Sequence, residues 1–359
     1  MSEIVSIGTA LPQYRHRQKD ILQFMLQAYQ PEGDDRRRLE LLYDRSGIAY
    51  RYSVVPDYSL TERSFYPATP DLEPFPLLEK RMQWYEQHAA ALSMRAIEQC
   101  IEGYLDKDEL TWLITVSCTG MSAPGLDIQI VQQMDLQPSI RRSSVNFMGC
   151  YAAIHALKLA DAICKADADA CVMIVCTELC TLHFQKGNDM DNITSSLLFG
   201  DGAAAVLVTG ASYKGKGLHI ASFHSEVVLQ GRQDMAWNLS GKGFLMHLSA
   251  YIPQLLKTGI TPLLEKALQQ SGIGREEITR WAFHPGGKKI LETIQTELQL
   301  NEDDLAPSFS ILNDYGNMSS PTVLFVLQTI IQQLSGNKEK IFAAAFGPGL
   351  TMETVILEQ

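Results

Sequence analysis

At 359 residues the chain can build one large domain or two similar halves. With 46% apolar and 20% charged residues it has the balance of a globular enzyme, and a net charge of −11 argues against nucleic acid as a general partner. No apolar run reaches the roughly 18 residues that span a membrane. The opening MSEIVSIGTALPQYRHRQ lacks the basic-then-apolar order of a signal peptide, so a cytoplasmic location is expected.

In chain order, Asp34-Asp35-Arg36-Arg37-Arg38 with Arg45 beyond is a basic cluster in an acidic chain. It reads either as a solvated helix face or as a rim that binds phosphate. Five prolines and several aromatics between Pro56 and Pro76 predict an extended surface excursion. Tyr85 to Leu105 has helical spacing. Trp112–Ser117 (WLITVS) and Cys171–Cys176 (CVMIVC) are short continuous apolar runs, as in strands covered on both faces. Between them, RSSVNFMGCYAAIHALKLADAI predicts a strand, a Met-Gly turn, and Cys150 opening an interior helix to about Lys165.

The seven cysteines form no Cys-x-x-Cys pair, which suits free thiols in a reducing compartment. The eight histidines supply no metal-ligating spacing, so no metal is expected. GDGAAAVLV and GPGLTMETVIL run into strands instead of helices, and so predict the floor of a site and not a nucleotide cradle.

A weak internal duplication adds to this. TWLITVSCTG resembles TRWAFHPGG, and CVMIVCTEL resembles KIFAAAFGPG. SSVNFMGCYAAIHALKL resembles SFSILNDYGNMSSPTVLFVL, read in both places as strand, Gly turn, functional residue and buried helix. The spacing Cys118 to Cys150 is 32 residues and His284 to Asn317 is 33. Two such units, 1–210 and 211–359, would set Cys150 and Asn317 at equivalent helix starts, with His284 at a strand end beside them.

A helix start gathers unpaired N–H groups and the positive end of the macrodipole. Cys150 is therefore expected to have a lowered pKa, helped by His284 as imidazolium. A thiolate holds an acyl chain as a thioester, and His284 with the Asn317 amide could stabilise an enolate or oxyanion. The bland alternatives are a small buried hydrophobe at 150, a turn histidine at 284 and a helix cap at 317.

At these residues the sequence resembles the type III polyketide synthases, the chalcone-synthase-like branch of the thiolase superfamily. The likeness runs from SIGTALP through DRSGI, SCTGMSAPG, NFMGCYAA and LLFGDGAAAVLV to WAFHPGGKKIL, YGNMSSPTVLFVL and FGPGLTMETVIL. It implies an α/β thiolase fold of five layers (αβαβα) with two pseudo-duplicated halves, and a homodimer. It also implies condensation of malonyl-CoA onto an acyl-CoA starter, with no permanently bound cofactor.

Carried over, Cys150, His284 and Asn317 match the family's nucleophile, histidine and asparagine. Phe199 matches one gatekeeper phenylalanine, while Met246 stands at the second gate position. Arg38 and Arg45 fall where plant relatives bind the CoA phosphates, and Leu41 replaces a third basic residue. Cys118, Cys180 and His183 replace threonines of the plant cavity, and Trp237 falls near a glycine. The resemblance to bacterial relatives with an acyl tunnel implies an aliphatic starter and an alkylpyrone or alkylresorcinol product. The alternatives are an initiating-type ketoacyl-ACP synthase, which would require malonyl-ACP, and a Cys-His-Asn thioester hydrolase, which would form no carbon–carbon bond.

Overall fold

The computed structural model describes residues 2–60, 62–187, 189–249, 252–336 and 338–359. The first part of the chain runs β1 (Glu3–Ala10), β2 (Tyr14–Arg17), α1 (Gln18–Tyr29), α2 (Gly33–Asp44), β3 (Tyr50–Ser53), α3 (Leu78–Ile101), β4 (Trp112–Ser117), α4 (Leu126–Gln133), β5 (Arg141–Asn146), α5 (Ala152–Ala166), β6 (Cys171–Leu179), α6 (Met190–Leu198) and β7 (Asp201–Thr209). It continues through β8 (Leu218–Val227), β9 (Met235–Ser240), β10 (Gly243–Leu248), α7 (Ile252–Ser271), β11 (Arg280–Phe283), α8 (Lys288–Glu297), α9 (Glu302–Tyr315), α10 (Thr322–Gln332), β12 (Lys340–Gly347) and β13 (Thr351–Glu358).

Nine strands pair in the order β11-β12-β13-β8-β1-β7-β6-β4-β5. The two ends repeat one pattern of direction. β4 runs parallel to β6, which is antiparallel to β7, which is antiparallel to β1. β11 runs parallel to β12, which is antiparallel to β13, which is antiparallel to β8. The two runs join through the pairs Glu3–His219 and Ile4–Leu218.

Three apolar clusters separate five layers. Alternate residues of β4, β6 and β7 (Leu113, Met173, Val175, Ala203, Ala205) pack on α3 and α1. Their neighbours on the other face (Ile114, Ile174, Val206) pack on α5 and α10, which also cover Ile341, Ala343 and Val355. The opposite face of β12 and β13 (Phe342, Ala344, Ile356) packs on α7, α8 and α9. Strands buried on both faces need continuous apolar runs, and helices held between the two halves of the sheet need apolar residues all round. That is why WLITVS and the Cys150 helix read as they do. Leu324 on α10 is fully buried between the two halves of the sheet, and truncating such a leucine costs about 2–5 kcal/mol.

One local expectation fails and another holds only in part. The segment 308–315 is helix α9 and not a strand. Asn301 and Asp304 form a capping box and three acidic residues fill the first turn, which outweigh the breaker signal of Pro307. The proline-rich stretch 56–76 is largely irregular and partly exposed among its described residues, as expected, but it is anchored to the core at several points. Asp57 accepts the amides of Ser64, Phe65 and Tyr66, and Phe65, Tyr66 and Leu72 are buried in the outer core.

Candidate functional site

Cys150 lies in the turn from β5 to α5, with Tyr151 as the N-cap. Phe147 and Gly149 take left-handed backbone angles (φ 57° and 80°) to make that turn. A Cβ at Gly149 would meet Pro348 Cδ at 2.1 Å, so only glycine fits. The Gly149 amide donates to Cys118 Sγ at 3.0 Å, which ties the nucleophile's turn to the end of β4. His284 follows β11 directly, and its amide donates to Ala344 O at 2.8 Å. Asn317 lies between α9 and α10, after Gly316 at φ 70°.

These loops converge. The Cys150 thiol lies 3.5 Å from Ser319 Oγ and 4.0 Å from Asn317 Oδ1. Asn317 Oδ1 accepts the Ser319 amide at 2.7 Å, and Nδ2 donates to Gly286 O at 3.3 Å, beside His284. The amide therefore turns its donor toward the histidine loop. Both ring nitrogens of His284 are buried without a hydrogen-bond partner among the described residues.

The surroundings disfavour both charges expected on the pair. Burial pushes the Cys150 thiol up to about 11 and the His284 imidazole down to about 3. Burial opposes either charge alone. Passing the thiol proton to the imidazole creates both charges at once, each in the other's field.

Cys118, Cys150, Cys180, Phe199, Trp237, Met246, His284 and Asn317 all line one cavity of about 560 Å³. Arg38 and Arg45 line it too. Arg36 and Arg37 pair instead with Glu40 and Asp34 on the solvent face, and Leu41 is exposed. Lys288 and Lys289, inside the quoted HPGGKKIL motif, also line the cavity, so two further cations were within view in the sequence. Met246 stands opposite Trp237 in the β9–β10 hairpin, and Trp237 Nε1 donates to Cys118 O at 2.6 Å.

His183 is the exception. It lies outside that cavity and lines a neighbouring chamber of about 40 Å³, which shares the walls Cys180, Phe199, Trp237 and Met246. Its Nε2 bonds Thr119 O at 2.7 Å, its Nδ1 accepts the Phe244 amide at 3.1 Å, and its ring stacks on Phe244. Burial lowers it to about 3, so the ring is neutral, with Nε2 as the donor. Sequence reasoning also passed over Ser319 and Glu178. Glu178 is raised to about 7 by burial and accepts from Cys118 N, Thr119 Oγ1 and Ser320 Oγ. The GNMSS motif was the available signal for the serines, whereas nothing local marked the glutamate.

A family model described as chalcone and stilbene synthases, N-terminal domain, matches residues 1–212, and its C-terminal-domain counterpart matches residues 218–359. The chain belongs to the chalcone and stilbene synthase family. As a type III polyketide synthase it is an acyltransferase that works on CoA thioesters, and the ketoacyl-ACP synthase and hydrolase alternatives fall away. Among relatives of this synthase, the Mycobacterium tuberculosis protein named alpha-pyrone synthesis polyketide synthase-like Pks18 is 31% identical, over 99% of this chain and 90% of that one. A Bacillus subtilis protein named putative chalcone synthase is 28% identical, over 99% and 98%. The crystal structure of PKS-I from the brown alga Ectocarpus siliculosus superposes with a TM-score of 0.94 at 28% identity, covering 100% of this chain and 98% of that one. Among the described residues no helix is long and apolar enough to cross a membrane.

Proposed function

We propose that Cys150, His284 and Asn317 carry out decarboxylative condensation of malonyl-CoA onto an aliphatic acyl-CoA starter. The observation that carries this is the convergence of all three on one cavity with a cationic lining at Arg38, Arg45, Lys288 and Lys289. Those cations suit the CoA phosphates.

The Cys150 thiol gives its proton to His284 and attacks the starter's thioester carbonyl. The CoA thiolate leaves and takes up that proton. Malonyl-CoA then loses carbon dioxide, and its electron pair becomes an enolate stabilised by the Asn317 amide and the His284 ring N–H. The enolate carbon attacks the Cys150 thioester, forming the new carbon–carbon bond and releasing the cysteine for the next round.

An aliphatic starter is supported by the apolar lining, among it Leu197, Leu198, Met235 and Ile252. A flexible Met246 at the gate adapts to irregular apolar chains. Trp237, fixed by its bond to Cys118 O, restricts the space for long polyketides, which favours a few extensions and release as an alkylpyrone or alkylresorcinol. The name of the mycobacterial relative agrees with a pyrone. The reading includes two halves, 1–210 and 211–359, and a cytoplasmic homodimer. It is tested by competition between a medium-chain fatty acyl-CoA and p-coumaroyl-CoA at equal concentration. A higher kcat/KM for the fatty starter is expected; preference for the aromatic one would overturn the substrate assignment and leave the family intact.

A further inference from the structure

Arg51 on β3 is a buried cation, 4% exposed, that the condensation chemistry does not use. Its Nη1 donates to Ser196 O at 2.6 Å and to Phe199 O at 2.7 Å. Its Nε donates to Gln18 Oε1 at 2.9 Å, and Gln18 Nε2 in turn donates to Leu197 O at 2.8 Å. The remaining carbonyl at this end of α6, Leu198 O, accepts the Asn317 backbone N–H at 2.9 Å, and Gly200 N donates back to Asn317 O at 2.9 Å.

A helix leaves its last four carbonyls without partners inside the helix. Here two of them are held by Arg51, one by its partner Gln18 and one by Asn317. The guanidinium sits where the C-terminal end of the macrodipole favours a cation. Its stem also fills the space beside Gly316. A Cβ there would lie 2.9 Å from Arg51 Cγ and 2.7 Å from Leu198 O, on a backbone already left-handed at φ 70°. The segment carrying Phe199 and the segment carrying Asn317 thus meet on one buried side chain.

We propose that Arg51 is a positioning residue, a clamp on the end of α6 that fixes Phe199 and Asn317 relative to one another and so sets both the gate and the enolate donor. This rests on the roles proposed above for those two residues. The thiol of Cys150 touches Asn317 and Ser319, but its backbone turn is held separately, through Gly149 N on Cys118 Sγ and Ala152 N on Gly149 O. Loosening the clamp should therefore spare acylation of the cysteine and impair condensation. Lysine is no substitute, because a single ammonium lacks the planar fork that reaches two carbonyls and an amide oxygen together.

The test uses Arg51→Lys and Gln18→Leu in the full chain. Acyl loading of Cys150 from acyl-CoA alone is followed by intact-protein mass spectrometry, and product formation with malonyl-CoA is measured in parallel. In Arg51→Lys, loading should stay within about twofold while condensation falls about 10–100-fold, the scale of a small misplacement at a reacting centre. The ratio of kcat/KM for longer and shorter starters should also shift as the gate loosens. Gln18→Leu keeps the guanidinium and should show the same split at about 3–10-fold, which carries the test if Arg51→Lys does not fold. Equal loss of both steps, or loss of neither, would overturn the clamp. Asn317→Ala separates the two readings: if it leaves condensation intact, the site assignment fails, and if it abolishes condensation while Arg51→Lys does not, only the clamp fails.

Discussion

Replacing His183 by leucine should flatten the dependence of stability on pH between 7 and 5. The wild-type imidazole is 4% exposed and neutral, with Nε2 donating to Thr119 O and Nδ1 accepting from Phe244 N. Protonation turns both nitrogens into donors and breaks the second bond. Burial holds its pKa at about 3 against an ordinary 6.5. The unfolded chain therefore binds more protons than the folded one below about pH 6.5, and stability falls as pH falls. Between the two values each pH unit is worth about 1.4 kcal/mol, so by pH 5 this group alone has removed about 2 kcal/mol. His16 and His284, also depressed by burial, contribute in the same direction but are common to both proteins. Urea unfolding of wild type and His183→Leu at pH 7 and pH 5 reads the difference. Wild type should lose about 2 kcal/mol more than the variant over this interval; equal losses would refute the buried neutral histidine.

Other perturbations read the site itself. Asn317→Ala should lower condensation about 10²–10³-fold, the usual effect of losing one oxyanion donor, with Cys150 still acylated in single-turnover assays. Arg38→Ala with Arg45→Ala should raise KM for both acyl-CoA and malonyl-CoA and change kcat less, with high salt mimicking the variant in steady-state kinetics. Gly149→Ala puts a Cβ 2.1 Å from Pro348 Cδ at φ 80°, and thermal unfolding should show a loss of about 2 kcal/mol or more together with activity.

Much of this was legible in the sequence, for identifiable reasons. Trp112–Ser117 coincides with β4 because a strand covered on both faces must be apolar throughout. The convergence of Cys150, His284 and Asn317 on one cavity was legible because each follows a strand or glycine turn that the chain uses twice. What escaped depends on side-chain direction and long-range contact. His183 faces Phe244 and not the main cavity, and no motif records that. The segment around Phe65 and Tyr66 is a loop, as its composition reads, but the burial of these two side chains follows from Asp57, eight and nine residues earlier, which no local pattern records. Burial opposes a thiolate at Cys150, and depth of burial, unlike a helix start, is not visible in the sequence. Glu178 and Arg51 were missed for the same reason: their partners lie far away along the chain.

The most direct test of the account is where the acyl group goes. Wild-type protein incubated with a fatty acyl-CoA and then digested should carry the acyl mass on the peptide containing Cys150, and adding malonyl-CoA should discharge it into product. Cys150→Ala should fold, carry no acyl group and form no polyketide. Acylation at another residue, or condensation by Cys150→Ala at near wild-type rate, would contradict the central claim.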